Sequence, residues 1–165
     1  MTQEFNYQEA IQRAMLMARD LMEFYQRAAL ITKDPGGQKV FESLAHEERL
    51  QADSLYRIYH GREFGNFEEF IGTPSHSTSV MMHELEKALN ERVDERHAMD
   101  IALREEESLE KSLRYTASKL VDPASRLFFE RMASETHNHC QVLGAEYARL
   151  MGMVHDTDMD TYVRE

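Results

Sequence analysis

The chain has 165 residues, 42% of them hydrophobic and 30% charged, with a formal charge of −11. That length holds one domain with a true core, and the composition excludes a disordered chain. The acid excess argues against sequence-independent nucleic-acid binding, which needs a basic surface to displace counterions. No run reaches the ~18 apolar residues that a membrane span requires.

Met1 to Ala10 is polar and lacks a basic-then-apolar pattern, so no signal peptide and a cytoplasmic location are expected. The first helix is predicted over residues 7–31, where Ile11, Ala14, Ala18, Leu21 and Tyr25 step by three and four. Asp34 then suits an N-cap and Pro35 the first turn of a second helix. That helix carries Phe41, Leu44, Glu48, Gln51, Leu55 and Ile58 on one face and should end near His60, with Gly61 as a left-handed cap. Residues 61–94 read as a crossover punctuated by Gly61, Gly65, Gly72 and Pro74. Its Phe64, Phe67 and Phe70 are expected to cover an end of the helices. Helical pattern resumes near Met81 and breaks around residues 90–94. A third helix follows with Met99, Ala102, Glu106, Leu109 and Leu113 inward. A second Asp-Pro cap, Asp122-Pro123, opens a fourth with Phe129, Met132, Thr136, His139 and Leu143 inward, ending near Gly152. Residues 153–165 form an acidic tail. Asp156, Asp158 and Asp160 mimic the opening of a calcium loop, but Thr161 stands where that loop needs Gly, so a solvated tail is expected.

Residues 10–59 recur as residues 98–147. The register pairs Ala10 with Ala98, Ala14 with Ala102, Leu21 with Leu109, Asp34-Pro35 with Asp122-Pro123, Phe41-Glu42 with Phe129-Glu130, and Tyr59 with Tyr147. Each copy reads as a helical hairpin, and two hairpins, about 7–60 and 95–150, predict an all-α four-helix bundle over residues 1–152. An α-solenoid is the alternative, but two copies are few and the connector is long.

Asp34 lies midway between Ala18 and Glu48, so an antiparallel hairpin returns those two to one height. Asp122 does the same for Glu106 and Thr136. Gln51 and His139 follow Glu48 and Thr136 at i+3, on the same faces. Ala18, Glu48, Gln51, Glu106, Thr136 and His139 therefore share one layer.

With this layer, and with Leu44-Ala45-His46-Glu47-Glu48 and Met132-Ala133-Ser134-Glu135-Thr136, the chain resembles the rubrerythrin and ferritin-like superfamily. That family places a Glu on its first and third helices and a Glu-x-x-His pair on its second and fourth. The resemblance implies a ferritin-like bundle, iron binding, oxidoreductase or peroxidase chemistry with O₂ or peroxide, and a homodimer. Of the implied ligand positions the chain keeps Glu48, Glu106 and His139 and departs at Ala18, Gln51 and Thr136. The retained residues belong to one metal's set, so one metal per chain is expected in place of two. Charge supports this. No Lys or Arg lies on the four apolar lines, and a divalent cation with a neutral His139 balances both carboxylates. Iron(II), Mn(II) or Zn(II) suits that donor set.

The alternative is a metal-free remnant whose polar residues satisfy one another, kept for dimerisation or partner binding. With Cys140 as the sole cysteine there is no cysteine-ligated iron domain, so electrons are expected from a partner protein. His46 and His137 should point outward. Glu47 and Glu135 should flank the inward line, as should Glu105 and Glu107 beside Glu106, though each of Glu105, Glu107 and Glu135 stays open as a substitute ligand. Tyr25 reads as core and Cys140 as a small packing residue. Met15, Met17 and Met22 suit adaptable packing or a subunit interface.

Overall fold

Three of the long helices begin where a polar side chain takes up an amide that the helix itself leaves unpaired. Asn6 accepts from the Glu9 amide, Asp34 from Gly37 at 2.8 Å, and Asp122 from Ser125 at 2.9 Å. In this computed structural model, residues 4–74 and 95–163 are described, with His83, Glu84 and Lys87 between them and side chains of the last helix as far as Gly152. The elements are α1 (Tyr7–Ile31), α2 (Pro35–Ile58), α3 (Phe67–Gly72), α4 (Glu95–Lys119) and α5 (Pro123–Val163), and no strand occurs among the described residues. None of these helices is long and apolar enough to cross a membrane.

Side-chain ties give the directions. Gln8, at the start of α1, accepts from the His60 amide at 2.8 Å and donates to the Ile58 carbonyl at 3.5 Å, so α1 and α2 run antiparallel. Contacts of Glu110 with His137 at 3.0 Å and of Arg96 with the Met151 sulfur at 3.4 Å make α4 and α5 antiparallel too. The Glu95 carboxylate accepts from the Lys33 and Asp34 amides at 2.8 and 3.1 Å, and Arg149 bonds Asp34. The turn between α1 and α2 therefore lies against the start of α4 and the later part of α5. The connection after α2 returns the chain to that end, leaving α2 and α4 parallel.

The closest pairs are α1 with α2 and α4 with α5; α1 also packs on α4 and α2 on α5. All four contribute to one apolar core, among them Ile11, Leu21, Phe41, Leu55, Met99, Leu109, Phe129 and Leu143. The inward stripes read from the spacing are buried throughout except for Ile58, which is half-buried.

Three expectations need correction. Gly61 is not a left-handed cap: α2 closes on Tyr59 in extended backbone, and the positive φ, 75°, belongs to Gly65. Gly152 does not stop the last helix, which continues to Val163, because one glycine costs about 1 kcal/mol and no proline follows. Of the crossover phenylalanines, Phe64 packs on Tyr59 at the end of α2, whereas Phe67 and Phe70 cover a flank and not an end. Phe70 is fully buried against Tyr56 and Phe64, Arg19 sits 5.3 Å above its ring, and Arg49 sits the same distance above Phe67. Both arginines lie mid-helix. Met15 and Met22 are buried in the core and Met17 is half-buried against it, so of the two alternatives for these methionines they take the packing one. The helical pattern expected at Met81, the break at residues 90–94 and the side chains of Asp156, Asp158, Asp160 and Thr161 lie outside the described residues.

Candidate metal centre

Three helices each send one ionisable side chain to the same buried point. Glu48 follows Leu44 on the inner stripe of α2, Glu106 follows Ala102 on α4, and His139 follows Thr136 on α5. Both glutamates are fully buried and His139 is 6% exposed. One potential ligand atom from each lies within 4.8 Å of the others. His139 Nδ1 is 3.2 Å from Glu48 Oε1 and 3.5 Å from Glu106 Oε1. The Tyr25 hydroxyl donates to Glu106 Oε1 at 2.7 Å.

These distances overstate how well the cluster satisfies itself. The approaches are short enough for ion pairs, but the ring N–H of His139 does not point along them. Both Glu48 oxygens, Glu106 Oε2 and His139 Nδ1 therefore remain without a hydrogen bond. A buried, unbonded carboxylate is costly, since it has lost water and gained nothing in exchange.

The electrostatics carry the same strain. Burial, and next the charge of Glu106, raises the Glu48 carboxyl well above the ordinary range. Burial alone would lower His139, but the two carboxylates facing it, Glu106 and then Glu48, outweigh burial and push the imidazole up to about 10. Burial and the same two carboxylates raise Tyr25. Donors held ~2.0–2.2 Å from a common cation sit roughly 3–4 Å apart, close to the spacing here. Unbonded carboxylates plus an imidazole are donors that a borderline divalent ion accepts, so these residues fit a metal.

The remainder of the layer is neutral. Ala18 and Thr136 are fully buried and Gln51 nearly so. Gln51 Nε2 donates to Thr136 Oγ1 at 3.2 Å, and that hydroxyl donates to the Met132 carbonyl at 2.9 Å. One half of the layer is thus charged and under-bonded, while in the other Gln51 and Thr136 share a neutral hydrogen bond and only Gln51 Oε1 stays without a partner. Arg19, one residue off the inward line of α1, is nonetheless buried. It is 2% exposed, yet its guanidinium lies over Phe70 and 3.5 Å from Asp20, not on Glu48 or Glu106.

The open substitute ligands are resolved by burial. Glu107 and Glu135 are exposed, and Glu105 is half-buried with its carboxyl raised by burial and by Glu84; none joins the cluster. His46, Glu47 and His137 are exposed, and His137 pairs with Glu110. Cys140 is half-buried, and burial with the Glu106 charge pushes its thiol up to about 12, away from nucleophilic use. Tyr25 is the residue whose part spacing understated. It packs in the core as expected, but its hydroxyl belongs to the site. The available signal was chemical, because a buried phenol needs a partner and the nearest polar atoms were in this layer. Comparison with models of known families, with curated proteins and with solved structures finds no match.

Proposed function

We propose that this chain is a ferritin-like four-helix bundle of the rubrerythrin kind, made of two repeated hairpins, that binds one divalent metal ion through Glu48, Glu106 and His139. The observation that carries this reading is a buried set of three ligands, within 4.8 Å of one another, whose carboxylate oxygens mostly lack any other partner. Two negative charges and a neutral imidazole balance a divalent cation, and iron is the metal that the family resemblance favours over manganese or zinc. Bound iron would supply the capacity to react with O₂ or peroxide, with electrons arriving from a partner protein. The neutral contacts of Ala18, Gln51 and Thr136 support one ion per chain. A homodimer and a cytoplasmic setting complete the proposal, the former by resemblance alone.

A second reading has its own support. A protonated His139 between Glu48 and Glu106, at 3.2 and 3.5 Å, forms a metal-free ion triad, which would leave the bundle to dimerisation or partner binding. Metal analysis separates the two. Protein purified without added metal, then loaded anaerobically with Fe(II), should hold one ion per chain and lose it in Glu106→Ala or His139→Ala. No ion after loading selects the triad. Peroxide consumption by the loaded wild type, absent from both variants, would identify an oxidoreductase as opposed to a metal store.

A further inference from the structure

Among the described residues, the centre reaches the surface through His139. Glu48 and Glu106 have no exposed surface, whereas the His139 side chain keeps 8%. Its Nδ1 is buried towards the carboxylates, so that remaining exposure belongs to the opposite edge of the ring. This edge forms part of the wall of a groove of about 410 Å³ between α2 and α5. Leu44 and Val142 supply apolar wall, and Lys39, Glu47 and Glu135 supply its charges.

The position of the two glutamates is not incidental. Glu47 precedes Glu48, and Glu135 precedes Thr136, at the same place in each hairpin. One residue before an inward position is about 100° round the helix, which sets a side chain at the lip where two packed helices part. Both are exposed, and neither forms an ion pair among the described residues. Together with Lys39 they leave the groove one negative charge in excess. A hydrated cation bound for a dry site must exchange water for other oxygen ligands, and carboxylates at the mouth provide them.

We infer that the groove between α2 and α5 is the port through which the divalent cation reaches the centre, with Glu47 and Glu135 receiving it at the mouth. The inference rests on the metal reading above and concerns the rate of binding, not its stoichiometry. Chelator-stripped full-length protein is mixed with Co(II), uptake is followed by visible absorption, and the final content is measured by metal analysis. Glu47→Gln with Glu135→Gln should bind one ion per chain at least about tenfold more slowly, as loss of electrostatic steering predicts. Val142→Trp, which fills the groove with a neutral ring, should slow both uptake and removal by EDTA. Glu107→Gln, exposed and outside the groove, should bind at the wild-type rate. Wild-type rates in the double variant and in Val142→Trp, with one ion bound, overturn the port and leave the centre standing. Reduced final content in the double variant also overturns it, by making those glutamates ligands. A wild type that takes up no cobalt overturns both port and centre.

Discussion

Tyr25 fastens a neutral donor to one carboxylate of an otherwise under-bonded cluster, at 2.7 Å from Glu106. In chelator-treated protein, Tyr25→Phe should lower unfolding free energy in urea by about 1–3 kcal/mol, the cost of abandoning a buried acceptor. A full-strength variant would mean that water takes over the hydroxyl's place. His139 sets the pH response of the same metal-free form. Its folded value is raised from 6.5 to about 10, so the folded state keeps a proton that the unfolded chain releases. The resulting stability is complete below the unfolded value of 6.5 and is lost as pH rises through about 10. Glu48, also raised in the folded state, contributes in the same direction starting from lower pH. Urea midpoints of stripped protein should therefore fall from near neutral to alkaline pH, and His139→Gln should flatten that fall. A rise with pH would show that His139 is buried neutral.

At the scale of elements, α3 is held by aromatic packing. Phe70 is fully buried between Tyr56 and Phe64 with Arg19 above it, and α3 has only six residues of its own helix. Phe70→Ala should cost about 3 kcal/mol or more, as large cavities in aromatic clusters do. The loss should appear in the urea midpoint and in faster amide exchange over α3 than over α1. Uniform exchange would mean that α3 is held by something other than this ring. The four long helices were legible beforehand for a local reason. Residues 7–31 were predicted for the first helix and Tyr7–Ile31 is observed, since the apolar stripe acts within the segment. The fate of Gly61 and Gly152 was not legible, because a lone glycine permits a helix end without requiring one.

For the molecule as a whole, the sharpest test is to restore the layer. Ala18, Gln51 and Thr136 share the buried level with Glu48, Glu106 and His139. Ala18→Glu with Gln51→His and Thr136→Glu should raise metal content from one ion per chain to two. It should also leave the stripped protein strongly destabilised, since new carboxylates would be buried without charge partners. Unchanged stoichiometry in a folded triple variant would mean that the three positions do not converge as ligands, whatever their depth.

From the residues alone came the helical class, the inward faces, the Asp34 and Asp122 caps and the layer that holds Glu48, Glu106 and His139, because periodicity reports the angle of each side chain about its own axis; the family resemblance then singled out those three as ligands. Tertiary structure decided what lies between axes: the Tyr25 bond to Glu106, the burial of Arg19 over the Phe70 ring, and the groove that leaves one edge of His139 open. Those depend on how far apart α2 and α5 stand and where the crossover settles. Helix separation is set by the summed packing of distant side chains, which no single stripe encodes.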